Sequence, residues 1–485
     1  YRAMTPQQTR LLDALAPLLP ARAIVTDRDL IAPWETDWRD RWHGVSPILL
    51  EPGSGAEVQA IVAAAARERV PLVAQGGNTS MVGGATPPAS GEGVILSLRR
   101  LNRIRSVDPD AGLAIAEAGV ILADLHAAAA DHGRRFPLTL GSRGSATIGG
   151  LVSTNAGGTQ VLRWGTMRGL VAGVEAVLAD GSLYEGLAAL KKDNRGYDLN
   201  QLLIGAEGTL GIVTAATLRL APAIHARTVA WIGLATPDAA LRLLRRFEAA
   251  GNAVESFELL PDESLQAVLT HIPDTRAPLA GKHPWHVLVE AVSSDPAAPA
   301  PAAFIERVLE AALADGIVSD AAIAASETQA EAFWRIRDSI SDAERATGPA
   351  AQHDISVPVE AMPRFLIEAA AACDARFPGT RASGFGHLGD GNVHFHVRAP
   401  AGVDRAQWLA EEAPGVTRFV DDLVVAAGGS ISAEHGIGQM KLHELERLSP
   451  PPRMAALRAI KRALDPAGIF NPGKLVALAP EGVGE

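Results

Sequence analysis

Three glycine-rich stretches lie between Gln75 and Thr214, and they constrain the fold more than anything else in the 485 residues. The first, Gln75-Gly76-Gly77-Asn78-Thr79-Ser80-Met81-Val82-Gly83-Gly84, directly follows a short apolar run. The second, Gly141-Ser142-Arg143-Gly144-Ser145-Ala146-Thr147-Ile148-Gly149-Gly150, is continued by Ser153-Thr154-Asn155-Ala156-Gly157-Gly158. The third, Gly205-Ala206-Glu207-Gly208-Thr209-Leu210-Gly211-Ile212-Val213-Thr214, is a turn that feeds an apolar segment. Consecutive glycines allow positive φ and a close approach of backbone to a ligand. Successive free N–H groups can then converge on an anion. Any one stretch alone reads as a tight turn. Three in order, with hydroxyls and amides between them, read as one cradle.

Composition bounds the class. Apolar residues at 47% and charged residues at 20% describe an ordinary globular protein, long enough for two or three domains. With 44 basic against 55 acidic residues the net charge is −11, so no basic excess exists to neutralise nucleic acid or an anionic membrane. Cys373 is the only cysteine, which leaves no disulfide framework, thiolate cluster or redox pair. There is no run of 18 apolar residues and no secretory leader. Tyr1-Arg2-Ala3-Met4 reads as an expression scar with the native start near Met4, and a soluble cytoplasmic protein is expected.

Hydrophobic spacing predicts helices over 6–19, 56–67, 121–131, 237–250, 302–314 and 454–464. It predicts strands over 48–50, 71–74, 94–98, 104–107, 113–116, 287–292 and 393–397, with strand character over 202–220. Texture changes divide the chain into an N-terminal segment 1–45, a cradle domain 46–222, an Ala/Leu-rich domain 223–430 and a C-terminal segment 431–485. The class is α+β.

The three stretches resemble the FAD-binding domain of the vanillyl-alcohol oxidase/PCMH superfamily, in which loops rather than a Rossmann turn hold the pyrophosphate. That resemblance implies a PCMH-type FAD domain, a ferredoxin-like α+β substrate domain and a C-terminal helical segment. It assigns 76–80 to the pyrophosphate, with Gln75 and Met81 at the edges of that loop. It sets Pro137, Leu138, Gly141, Ser142, Ser145, Ala146, Thr147, Gly149, Gly150, Ser153, Thr154 and Gly158 along flavin and ribitol. Glu207, Gly208 and Ile212 close the adenine side, and Asn471 completes the site. Some members attach the flavin through His or Cys near the first loop. Neither occurs over 75–84, so non-covalent FAD is expected. Gly384-Phe385-Gly386-His387-Leu388-Gly389 fits G-x-G-x-x-G, but it runs into strand-like alternation instead of opening a helix, which argues against a nicotinamide site.

His387, His394 and His396 fall within ten residues, and Glu434 and His435 follow in Ser432-Ala433-Glu434-His435-Gly436-Ile437-Gly438. Imidazoles with a carboxylate make an N/O site for Zn²⁺ or a similar divalent ion. A lone strand histidine is more often structural, but the Asp390-Gly391 turn folds His387 and His394 back on each other. These motifs resemble the metal-containing D-2-hydroxy-acid dehydrogenase branch, which includes D-lactate and D-2-hydroxyglutarate dehydrogenases. The resemblance runs to Phe470-Asn471-Pro472-Gly473-Lys474. It implies that His387, His394 and Glu434 bind the metal and that His435 is the general base. It also implies hydride transfer from substrate Cα to flavin N5.

By the same resemblance Arg337 pairs with the distal carboxylate of a diacid substrate, D-2-hydroxyglutarate, and Ser341 donates a hydroxyl bond. Gln352 stands where the family pattern has lysine and His396 where it has asparagine, both in that pocket. The alternatives are a D-lactate or broad D-2-hydroxy-acid dehydrogenase, and a non-catalytic flavin electron-relay subunit. The expected acceptor is an electron-transfer flavoprotein or a quinone pathway. Residues give no readout of assembly, and a homodimer is the working expectation.

Overall fold

The computed structural model describes residues 4–478, which pack as two compact units. One takes the residues up to Gly158, Gly165–Ala223 and those from Glu434 onward; the other takes Thr159–Trp164 and Ile224–Ala433. The Tyr1-Arg2-Ala3 part of the expected scar lies outside the described residues. The N-terminal segment shares the core of the cradle domain, because Leu11 and Leu15 pack with Val58, Ile61, Leu72 and Val94.

In the first unit a four-stranded sheet runs in the order Ile24–Val25, Leu49–Leu50, Val94–Ser97, Leu72–Gln75. The last three strands are parallel, which requires a crossover, and the helix Gly55–Glu68 supplies it. That helix starts where Ser54 accepts from the Glu57 N–H, while the Glu57 carboxylate accepts from the Gly53 N–H at 2.7 Å. It ends at Arg69, which is left-handed at φ 54°. A second, antiparallel sheet has the order Ile104–Asp108, Leu113–Glu117, Ile212–Arg219, Val171–Val177, Leu183–Gly186. The first glycine stretch leaves the C-terminal end of Leu72–Gln75, and the third leads into Ile212–Arg219. Ligands of parallel sheets bind beyond the strands' carboxyl ends.

Two expected elements come out differently. The 6–19 helix stops at Leu15, just ahead of Pro17, which has no N–H to donate. The stretch 202–220 is not one strand: Leu199–Leu203 is a short helix capped by Asp198, and the strand begins only after the glycine turn.

The C-terminal residues return to the strand that feeds the cradle. The Leu72 N–H donates to Ile469 O (2.7 Å) and the Asn471 N–H to Leu72 O (2.8 Å), so the fully buried Phe470 lies alongside it. The helix Pro451–Leu464 fixes this return through Lys461, whose ammonium donates to Thr209 O (2.7 Å), Phe470 O (2.9 Å) and Asp465 Oδ2 (2.5 Å). Asp465 also accepts the N–H groups of Ile469 and Phe470.

The second unit is built on an antiparallel sheet in the order Asp320–Ile323, Ala226–Leu234, Trp285–Ser293, Val254–Pro261, Arg381–His387, Asn392–Arg398, Ala350–Ser356. Period-two alternation puts Phe257, Leu259, Ile355, Val393, Phe395 and Val397 in one apolar core with residues of the helices Pro237–Ala250, Pro301–Ala314, Met362–Arg376 and Ala413–Ala426. The same alternation turns Glu258, Phe385, His387, His394 and His396 to the opposite face. The helices Glu327–Asp338 and Ile340–Thr347 add Phe333, Ile336, Ile340 and Ala343 to a core there with Phe385. Among the described residues no helix is long and apolar enough to cross a membrane.

Lys461 and Asp465 are both buried, so removing one charge strands the other. Lys461→Met is expected to cost about 3–5 kcal/mol, read as a lower denaturant midpoint of the purified protein.

Candidate active site

The three glycine-rich stretches wall one cavity of ≈ 710 Å³, inside the roughly 300–1,000 Å³ of small-molecule sites. Residues 75–81, Gly141, Ser142, Ser145, Ala146, Thr147, Gly149, Gly150, Ser153, Thr154, Glu207, Gly208 and Ile212 all line it. Pro137, Leu138, Gly158 and Asn471 are buried outside its lining. Asn471 braces the wall from behind, donating to Gly84 O (2.9 Å) and Glu207 O (2.8 Å). Gly77 shows why the wall needs glycine: a Cβ there would sit 2.0 Å from the Ser145 carbonyl oxygen.

The cavity wall fits FAD. Gln75 donates to Trp34 O (3.0 Å) and Ala85 O (2.9 Å), and Asn78 donates to Thr36 O (2.9 Å). Their side-chain oxygens, Oε1 and Oδ1, and the Thr147 Oγ1 are buried without a protein partner. Such groups are costly unless something hydrogen-bonds them, and the polar edges of a flavin or ribitol do so. Trp38 and Arg39 also line the cavity, with the guanidinium 4.9 Å from the Trp38 ring centroid. They bring a cation to a wall made largely of backbone, and no glycine-rich stretch marks their place in the sequence. Glu434 and His435 lie in this same wall.

In the second unit the strand register sets Gln352 opposite His396, Asp354 opposite His394, Phe385 opposite His394 and Glu258 opposite His387. The rings of His387 and His394 are 5.5 Å apart, edge to face. The His387 Nδ1 is 2.6 Å from Glu258 Oε1, and the Arg337 Nε donates to the other oxygen, Oε2, at 2.6 Å. Burial alone would push the Glu258 carboxyl up, but His387 and Arg337 outweigh it and bring it down to about 2. A carboxylate held on Nδ1 is the carboxylate-behind-histidine arrangement common at metal sites, where Nε2 is the ligating nitrogen. His394 is held well below the usual histidine range, first by burial and then by His387, so its ring stays neutral and can ligate. Asp354 lies 3.9 Å from its Nδ1.

The expected substrate residues are placed unequally. Arg337 is buried and already ion-paired to Glu258 through Nε, which leaves its two terminal nitrogens outside that pair. His396 is buried and ion-paired through Nδ1 to Glu344. Gln352 is half-buried and Ser341 is exposed on its helix. Glu258 and Glu344 went unnoticed in the sequence because each is one acid in an otherwise unremarkable strand or helix. The Ala433 N–H donates to Asp354 O (3.3 Å), so the chain leaves this sheet one peptide bond before Glu434.

Residues 224–475 match the C-terminal domain of FAD-linked oxidases, and residues 46–186 match an FAD binding domain. The chain is 36% identical over 460 residues to the mitochondrial D-2-hydroxyglutarate dehydrogenase of Arabidopsis thaliana, covering 95% of this chain and 80% of the relative. It is 38% identical over 464 residues to the D-2-hydroxyglutarate dehydrogenase of Xanthomonas citri pv. viticola, covering 95% and 96%. Among solved structures it is similar in fold to p-cresol methylhydroxylase with substrate bound, at TM-score 0.74 and 13% identity over 99% of each chain.

Gly77→Ala should therefore yield protein with little bound FAD, seen as loss of the flavin absorbance at unchanged far-ultraviolet circular dichroism. A second expectation concerns acid. Glu258 titrates near 2 in the fold against an ordinary 4.5, so its stabilisation is present above about pH 4.5 and is lost as pH falls toward 2. Glu258→Gln should flatten that part of the stability-versus-pH curve, measured by urea midpoints across the range.

Proposed function

The chain belongs to the FAD-linked oxidases, in the branch of the D-2-hydroxyglutarate dehydrogenases, and from that premise we propose that it oxidises D-2-hydroxyglutarate to the 2-oxo acid with the help of a divalent cation. The observation that carries this reading is that Glu434 and His435 line the cavity walled by the flavin-binding glycine stretches. FAD bound there supplies the two-electron acceptor. A divalent cation supplies a Lewis acid that lowers the pKa of the substrate hydroxyl. His387 through Nε2, His394 and Glu434 are the residues to hold that cation. Two neutral imidazoles and a carboxylate suit Zn²⁺, with Mn²⁺ or Co²⁺ as substitutes.

In this reading His435 takes the hydroxyl proton on a ring nitrogen, which leaves the Cα–H bond electron-rich enough to break. Glu258 orients His387 and at the same time holds Arg337 in place. The terminal nitrogens of Arg337 then meet the distal carboxylate, a planar match for a guanidinium. In this reading the electrons then leave to an electron-transfer flavoprotein or a quinone pathway.

A second reading, a broader D-2-hydroxy-acid dehydrogenase that accepts D-lactate, is favoured by one observation. The charge of Arg337 is already shared with Glu258, and Gln352 adds no second cation to the pocket.

Anaerobic mixing with substrate tests both. D-2-hydroxyglutarate should bleach the flavin band of the holoenzyme, and His435→Asn should slow that bleaching by about 10²–10⁴ at equal FAD content. Equal bleaching by D-lactate would establish the broader reading. Bleaching that survives treatment with EDTA would remove the exchangeable cation from the mechanism.

A further inference from the structure

We propose that Glu207 is a positioning residue for the loop that carries the base: its carboxylate sets the backbone of Gly436-Ile437-Gly438, and through it the place of His435 in the cavity wall. The inference rests on the reading of His435 as the base.

The geometry is specific. The Ile437 N–H donates to Glu207 Oε1 at 2.7 Å and the Gly438 N–H to Oε2 at 2.7 Å, so each carboxylate oxygen serves one donor. The glutamate is itself held from two sides. Its N–H donates to Ser153 O at 2.7 Å, within the second cradle stretch, and its carbonyl accepts from Asn471 at 2.8 Å. Its backbone is left-handed at φ 52°, a conformation a glutamate keeps only where its surroundings impose it. On the loop side Gly436 is at φ 82°, and a Cβ there would lie 2.7 Å from Glu207 Oε1, so the carboxylate fills the place a side chain would take.

The two ends of the loop are anchored differently. Beyond Gly438 the chain is tied to the first cradle stretch, where Gln439 and Met440 donate to Val82 O at 3.1 and 3.2 Å. On the His435 side the Glu207 carboxylate receives the N–H groups two and three residues on, those of Ile437 and Gly438. Burial pushes this carboxyl up and the two N–H donors hold it down. An amide in its place presents one acceptor and one donor to two donors, so glutamine keeps the shape and breaks half of the clamp.

A residue that only shapes the flavin site would affect FAD content, and one that only stabilises the fold would act equally with or without the base. Neither need act through His435. The test uses the holoenzyme of wild type, Glu207→Gln, His435→Asn and the double variant. E207Q is compared with wild type at equal FAD occupancy, and its 436–438 amides should exchange faster with deuterium. Flavin reduction by D-2-hydroxyglutarate should slow about tenfold or more at little-changed KM, since small misplacements of a reacting group cost rate. The double variant should reduce no more slowly than H435N alone.

A wild-type reduction rate in E207Q, or the same slowing by E207Q in the H435N background, overturns the proposal. If H435N itself reduces at the wild-type rate, the base assignment fails, and the deuterium exchange alone decides the clamp. Should E207Q not retain FAD, Glu207→Asp, charged but one methylene short, is put through the same cycle under the same criteria.

Discussion

The Glu258 carboxylate has no surface in contact with solvent, and the polar face of the second unit is organised around neutralising it. A buried charge is tolerable only when paired and hydrogen-bonded on both oxygens. Arg337 takes one oxygen and His387 the other. Once those two are in place the neighbours follow. Arg337 lies over the Phe385 ring at 5.2 Å, and that ring packs 5.1 Å from His394 and 5.6 Å from His396. One acid thus couples the cation expected to read the substrate with a histidine expected to hold the metal. The opposite face of the sheet, packed mainly by apolar side chains, supplies the rigidity that makes such coupling meaningful.

The first unit solves a related problem with backbone instead of side chains. Its cavity wall brings main chains within distances that no Cβ would permit, and acids nearby bind backbone N–H groups. Glu207 takes those of Ile437 and Gly438, and Asp465 takes those of Ile469 and Phe470 while sharing Lys461. Glu207 thereby joins segments 230 residues apart along the chain.

That distance explains what the sequence could and could not reveal. The cradle was legible because its requirements are local: glycines and hydroxyls at consecutive positions. The histidines were legible for the same reason, since His394 and His396 share a strand face and His387 is one turn away. Long amphipathic helices such as Pro237–Ala250 were read to the residue. Glu258 was not, because its partners lie 79 and 129 positions off, and a single acid between Phe257 and Leu259 is just the polar half of an alternating strand. Glu344 escaped in the same way. Asn471, expected at the cofactor, also ties Gly84 to Glu207, a link visible only once the C-terminal return is seen.

The pairing of Leu72 with Ile469, Phe470 and Asn471 carries a consequence for how the chain is made. The strand that launches the cradle leaves the ribosome well before the residues that flank it, with the whole second unit between them. Throughout elongation Leu72 lacks those backbone partners, and the hydrophobic slot for Phe470 stays open, while all of 224–433 emerges and can fold on its own. The flavin unit is therefore completed only after the second unit has emerged, and a chain cut before Ile469 lacks the segment that seals it.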